Sequence, residues 1–298
     1  MGLKHVLNKS WGAGAVSEDI ELAKAPIHAI LLRMYALGSG AAALIAHFKT
    51  QFGTLIYAKD GRGDITPRWT LAELYEYHKA FFNRIPPFQD GTAANDKAAF
   101  LRVIIPFGRP CMMSNNSLFP TIEDPLVGWN PQSTPYLHIE VPADSDIDNR
   151  TTQVSVLYGK NPFQWTKKWT DWTSQTLSTS GLKDWIVGDK GRWLESFVFQ
   201  TSEENATLTA DAPSILKVAF ERKGQSVVLD GQVFNPFGAL LDSTQMLDDQ
   251  YLYWSFSQLH GDPLSKCVNL DLGETKIRLL GGVADAVKVA SSVVRRQV

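Results

Sequence analysis

Asn161-Pro162-Phe163-Gln164-Trp165-Thr166-Lys167-Lys168-Trp169-Thr170-Asp171-Trp172 separates two long runs of β-type sequence, so its reading decides how the chain divides. With Trp185 and Trp193 it gathers five of the nine tryptophans into one short region. Trp165, Trp169 and Trp172 fall at i, i+4 and i+7, which stacks three indoles on one face if the segment is helical. Pro162 suits the first turn of such a helix and Asn161 its cap, although Thr-Lys-Lys-Trp-Thr is a poor helix former. Two roles are open for the indoles. They brace two β units as buried packing, or they form an exposed platform that stacks on sugar rings.

Upstream, Leu3, Val6, Leu7 and Trp11 share a helical face, with Lys4, His5 and Lys9 opposite. That spacing predicts a short basic amphipathic helix, able to lie on an anionic membrane, dock on a partner or pack on its own domain. Ile20 to Tyr35 reads as a strand with Ile20, Leu22, His28, Ile30, Leu32 and Met34 on one parity. Ala41 to Phe52 is ambiguous between helix and strand. Leu55 to Ile65 is a strand, a turn at Asp60-Gly61 and a second strand start. Thr70 to Phe82 is the best helix, with a Thr70/Glu73 capping box and a stripe of Leu71, Leu74, Tyr75, His78 and Phe82. Further strands are expected at Ala98–Gly108, Tyr136–Val141 and Thr152–Tyr158, with a long loop over 106–135.

Downstream the order of parts recurs. Trp193–Gln200 is a strand, Ile215–Gly231 a strand-turn-strand, and Pro236–Leu247 a helix-like segment placed as the helix at residue 70 is in the first half. Tyr251–Phe256, Cys267–Leu272, Lys276–Leu280 and Val283–Val289 add four β runs; the last also fits a helical period, but β-branched residues favour strand. Two units of about 100–150 residues, each with about eight short strands, point to jelly rolls or similar sandwiches. The expected organisation is an N-terminal helix and arm over 1–19, a first roll over 20–160, a Trp-rich connector over 161–192 and a second roll over 193–298.

Composition sets broad limits. At 298 residues, 44% hydrophobic and 20% charged, the chain can hold one large or two ordinary domains. A formal net charge of −2 argues against a protein that mainly grips nucleic acid, so no sequence-specific nucleic-acid contact is expected. Cys111 and Cys267 are too few and too distant for a disulfide scaffold or a zinc site. The first residues lack an apolar core of signal-peptide length, and no run reaches the ~18 apolar residues of a membrane span.

Chemistry is hard to find. The six histidines are dispersed, and His138 with Glu140 shares a strand face without a further ligand in view. Asp60-Gly-Arg-Gly-Asp64 reads as a charged hairpin turn lacking the downstream glutamate of a calcium loop. No nucleophile elbow or phosphate-binding glycine loop is present. Glu123-Asp124, Glu140 and Glu195 are carboxylates with no evident partner for glycoside hydrolysis. No catalytic residue, metal or cofactor is expected. The carbohydrate alternative, a sugar-binding or glycoside-hydrolase sandwich, rests on the Trp165–Trp193 cluster alone.

In order and spacing the chain resembles the double jelly-roll major capsid proteins of tailless icosahedral viruses, the adenovirus-like lineage, most nearly those of lipid-containing bacteriophages. The stretches that carry the likeness are Ile20-Glu-Leu-Ala-Lys-Ala-Pro-Ile-His-Ala-Ile-Leu-Leu, Lys59-Asp-Gly-Arg-Gly-Asp-Ile leading to Leu71-Ala-Glu-Leu, and Phe100-Leu-Arg-Val-Ile-Ile-Pro-Phe-Gly. Val268-Asn-Leu-Asp-Leu and Ile277-Arg-Leu-Leu close it. The resemblance implies an all-β protein of two eight-stranded jelly rolls and a non-enzymatic coat function. Three chains would form a pseudo-hexagonal capsomer that meets neighbouring capsomers, penton and minor capsid proteins. It also implies a virion assembled in the host cytoplasm, with an N-terminal helix facing an internal viral membrane. In this picture Trp165, Trp169, Trp172, Trp185 and Trp193 pack between rolls or subunits.

Overall fold

Buried and half-buried residues alternate from Ile30 to Gly38 within the strand Ile27–Gly38, and the fold is built outward from that central strand. The structure, a computed structural model, describes residues 2–12, 14–38, 43–82, 85–92, 98–109, 124–143, 147–177, 182–187, 192–201, 215–222, 225–230, 251–256, 267–272, 274–281 and 285–297. The helix-like segment 236–247, Cys111, Glu123, His260 and residues 110–123 of the loop 106–135 lie outside the described residues.

The first half holds β1 (Gly2–Ser10), β2 (Val16–Glu21), β3 (Ile27–Gly38), α1 (Ile45–Gln51), β4 (Leu55–Asp60), β5 (Gly63–Asp64) and α2 (Leu71–Phe82). β6 (Phe88–Gln89), β7 (Ala99–Pro106), β8 (Val127–Gly128), β9 (Tyr136–Val141) and β10 (Ile147–Tyr158) follow. One sheet runs β1-β10-β3-β7-β6 and a second β2-β9-β4-β5. The second half holds β11 (Trp165–Trp169), β12 (Thr173–Leu177), β13 (Leu182–Val187), β14 (Trp193–Gln200) and β15 (Ile215–Arg222). β16 (Gln225–Asp230), β17 (Tyr251–Ser255), β18 (Val268–Asn269), β19 (Thr275–Gly281) and β20 (Asp285–Arg296) complete it. One sheet runs β13-β19-β15-β16; the other follows β17-β14-β20-β11-β8, with β12 also on β20 and β18 also on β14.

The two halves repeat one pairing order. β1-β10-β3-β7 corresponds to β11 and β12 on β20, then β14 and β17; β2-β9-β4-β5 corresponds to β13-β19-β15-β16. In each half the opening strand pairs with the last, so each sheet closes over sequence ends far apart in the chain. The fold is mostly β-sheet, in two halves of like topology.

Several expectations need correction. Residues 2–10 form a strand, not a helix, antiparallel to β10 from Gly2↔Tyr158 to Ser10↔Thr151. A register shift between His5 and Leu7 inserts an extra residue there. The bulge reverses the side-chain alternation, so Leu3 is 61% exposed while Leu7, opposite buried Val154, packs on the core. The Trp-rich stretch is likewise extended. β11, β12 and β13 lie within the expected connector 161–192 and pair with β20 and β19 of the second half. The single strand expected over 20–35 is two strands in different sheets, parted by residues 22–26, where Pro26 has no N–H for a ladder. The stretch expected as a strand over 267–272 pairs only at Val268–Asn269 and continues as a 3-10 turn.

Other readings agree with the fold. α1 resolves the ambiguous segment as helix. At the start of α2, Thr70 N–H donates to Glu73 Oε2 at 2.8 Å and Glu73 N–H donates to Thr70 Oγ1 at 3.2 Å. The β4–β5 hairpin turns at Asp60-Gly61, with Gly63 at φ +102°, a left-handed conformation that glycine takes without a Cβ penalty. β20 is the expected terminal strand, extended to Arg296.

Candidate functional site

In an extended β11, side chains alternate, so Lys167 and Trp169 share the buried face and Thr166 and Lys168 the other. That face meets the first half directly. Trp169 N–H donates to Ile65 O at 2.7 Å, and its indole lies edge-on to Tyr77 at 5.1 Å and to Trp69 at 6.3 Å. Tyr77 stacks on Trp69 at 5.1 Å and meets Tyr253 edge-on at 6.0 Å. One nest of rings therefore joins α2 and the β4–α2 connection to β11 and β17. Burial pushes the Tyr77 and Tyr253 phenols well above their ordinary range.

Beside the rings lies a fully buried ion pair. Lys167 Nζ sits 2.9 Å from Glu195 Oε2 and donates to Gly108 O at 3.0 Å, with both side chains wholly inaccessible. Glu195 also accepts from Ser255 Oγ at 2.8 Å and Ser292 Oγ at 2.6 Å. The Lys167 ammonium stands over the Phe81 and Trp169 rings at 5.4 and 5.3 Å. A buried charge is tolerable only with this density of partners. Arg109 and Asp124 make a second buried pair, Nε to Oδ2 at 2.7 Å and Nη2 to Oδ1 at 3.1 Å. Burial alone pushes the Asp124 carboxyl up, but the Arg109 guanidinium and the backbone N–H of Leu126 outweigh it and hold it below its usual range.

The backbone seam is continuous with these pairs. β8 of the first half runs parallel to β11, Trp165↔Val127 and Thr166↔Gly128. Asn130 bridges the halves, donating from Nδ2 to Phe163 O at 2.8 Å and accepting from Phe163 N–H at 2.9 Å. Gly128 is required by close packing, since a Cβ there would lie 2.3 Å from the Phe163 ring.

The five tryptophans of the region do not act together. Trp169 is 2% exposed in the ring nest, and half-buried Trp172 packs against the same core cluster. Trp165 meets Trp193 edge-on at 5.9 Å, and Trp185 packs on a separate cluster in the second half. They form no shared face for a sugar ring. The N-terminal residues are divided as well: Lys4 is exposed, Lys9 is paired with Glu18, and Val6 and Leu7 pack on the core. Trp11 is buried with its indole N–H on Thr152 Oγ1 at 2.8 Å. Lys167 carried no signal in the sequence beyond being a lysine between tryptophans.

On the outer face of the smaller first-half sheet, His138 lies between Asp19 and Glu140, at 2.7 and 3.2 Å, and Lys59 pairs with Asp19 at 2.7 Å. Among the described residues no group of three His, Cys, Asp or Glu side chains could hold a metal ion.

No protein-family model and no curated protein matches this sequence. Solved structures do. The major capsid protein P2 from bacteriophage PM2 superposes with a TM-score of 0.65 at 12% identity, over 100% of this chain and 98% of that one. The STIV MCP superposes at 0.67 and 10% identity, over 99% and 96%. PBCV-1 VP54, fitted into a reconstruction of the virophage Sputnik, superposes at 0.54 and 10% identity, over 98% and 94%. The chain has the fold of these viral capsid proteins. The match spans nearly all of both chains, so it covers both halves.

Proposed function

We propose that this chain is the major coat protein of an icosahedral virion, built as two eight-stranded jelly rolls in tandem and assembling as a homotrimer. The observation that carries the proposal is the end-to-end match to viral capsid proteins, one from bacteriophage PM2, with a further match to the structure of Sulfolobus Turreted Icosahedral Virus. The repeated pairing order supports the two-roll reading, and supports dividing the chain between Tyr158 and Trp165, with β1 opening the first roll and β11 the second. The Lys167–Gly108 hydrogen bond, the β8–β11 ladder and the ring nest tie the two rolls together, which suits a tile that neighbouring tiles must meet at fixed angles. The expected partners are two further copies of the chain, then neighbouring capsomers, penton and minor capsid proteins. Contact with a membrane through an N-terminal helix is not part of the proposal, because residues 2–10 are a strand.

Light scattering on the purified chain, followed by electron microscopy, tests this. The expected species is a three-chain capsomer with pseudo-hexagonal outline and obligate interfaces above about 2,000 Å² each. A chain that stays monomeric at high concentration overturns the proposal.

A further inference from the structure

A cleft of about 430 Å³ opens where the β4–β5 turn, the loop before β9, the stretch before β14 and the end of β20 converge. Among the described residues its wall carries Arg62, Lys168, Arg192, Arg295 and Arg296 against a single carboxylate, Asp60. That carboxylate is already engaged, accepting from the backbone N–H of Arg62 at 2.9 Å and of Gln132 at 3.4 Å. Arg62, Lys168, Arg295 and Arg296 make no ion pair with any described residue. The whole chain carries a formal net charge of −2, so the gathering of basic residues here is local to the cleft. Gathered like charges repel, and the arrangement is relieved only by an anion or a counterion atmosphere. The floor is built rather than incidental. Asn130 holds it to Phe163 and Gln297, Thr166 Oγ1 accepts from Asn130 N–H at 3.2 Å, and wholly buried Trp129 lines it with an indole N–H that has no acceptor.

We propose that this cleft is an anion site for a single phosphate-bearing group, presented either on a small phosphate compound or on an anionic lipid head group. Guanidinium forks match phosphate oxygens in pairs. The volume is that of a small-ligand pocket, which favours one head group over the track of charges that a nucleic-acid strand needs. The site does not depend on the coat-protein reading and can be tested on the soluble chain.

Calorimetric titration of the full chain with inorganic pyrophosphate, at constant ionic strength, is the primary test. Flotation with phosphatidylcholine vesicles, with and without phosphatidylglycerol, is the second. Lys168→Gln/Arg296→Gln should weaken pyrophosphate binding about tenfold or more. Lys4→Gln/Lys183→Gln, which removes the same charge from exposed positions outside the cleft, should leave it unchanged. Melting temperatures confirm that the variants fold, and the single variants serve if the double is unstable. Pyrophosphate binding without flotation assigns a small phosphate compound. Flotation that requires phosphatidylglycerol and is competed by pyrophosphate assigns a lipid head group. The proposal falls if pyrophosphate does not bind at millimolar concentration, or if both double variants lose affinity equally. It also falls if the cleft binds a single-stranded oligonucleotide that pyrophosphate cannot displace.

Discussion

Replacing Lys167 by methionine keeps the aliphatic stem against Phe81 and Trp169 but strands the Glu195 carboxylate, wholly buried and still held by two serine hydroxyls. Removing one member of a buried pair costs about 3–5 kcal/mol, because the remaining charge keeps its desolvation penalty without its counter-charge. That is a factor of roughly 10²–10⁴ in the folded-to-unfolded ratio, and a large part of the 5–15 kcal/mol typical of a whole domain. Glu195→Gln should cost a similar amount, since it leaves the buried Lys167 ammonium with neutral acceptors alone and no counter-charge. The double variant has no buried charge, and the new amide can still meet Ser255 and Ser292, so it should be far more stable than the sum of the singles implies. Guanidinium unfolding of the four proteins, with equal denaturant slopes as the check on comparability, gives the coupling energy directly. Coupling of several kcal/mol is expected. Additive single effects below about 1 kcal/mol each would show that the pair is hydrated in solution and refute the account of the junction.

Three further outcomes follow from the same geometry. Trp169→Ala should destabilise by about 3–5 kcal/mol, whereas Trp165→Ala, at a half-buried position, should cost clearly less; equal losses in chemical denaturation would contradict the separation of the two indoles. Asp124 is held below its ordinary carboxylate range, so its stabilisation is complete above the unfolded value of about 3.8 and is lost as pH falls through the lower folded value; Asp124→Asn should be less stable at pH 7 and show a flatter acid limb in a pH series. Glu73 is displaced the other way, by burial that its Thr70 and Lys288 contacts only partly offset, so it subtracts stability as pH rises from about 4.5 through its raised folded value. Glu73→Gln keeps the helix cap and removes that charge, and its melting temperature at pH 7 should match or exceed that of the parent.

Where a side-chain pattern was uninterrupted, the sequence was legible. β9 alternates without a break and was bounded correctly, and the Thr70/Glu73 box marked α2 because both of its hydrogen bonds are local. The repeat of the second half was visible because order survives when identity does not. The junction was not legible. Nothing in Thr-Lys-Lys-Trp says that one of two adjacent lysines is exposed in part and the other wholly buried, since that depends on Glu195, Ser255 and Ser292 arriving from three distant strands. Glu195 could be noticed only as one carboxylate among many. The single signal available was parity: in a strand, Lys167 lies on the face of Trp165 and Trp169, and a lysine flanked by two large indoles on one face invites a search for a buried acid.

The two stretches misread as helices turn out to be the same element. β1 and β11–β12 occupy equivalent places, each the opening strand of its half laid on the last strand. Both are interrupted, β1 by the register shift between His5 and Leu7, and β11–β12 by Thr170–Trp172, where the chain leaves the ladder and Thr170 N–H still reaches Ser291 O at 2.8 Å. An inserted residue reverses the period-two alternation, so inward residues on one side of it stand two or four apart and those on opposite sides an odd number apart. The mixture of spacings imitates a helix face. Val6, Leu7 and Trp11 give that false period at one site, where Leu3 itself is exposed, and Trp165, Trp169 and Trp172 give it at the other. Strand interruptions of this kind concentrate where a sheet must bend or end. An apparent short amphipathic helix that recurs at the same place in both halves of a β-rich repeat is therefore better taken as a broken opening strand.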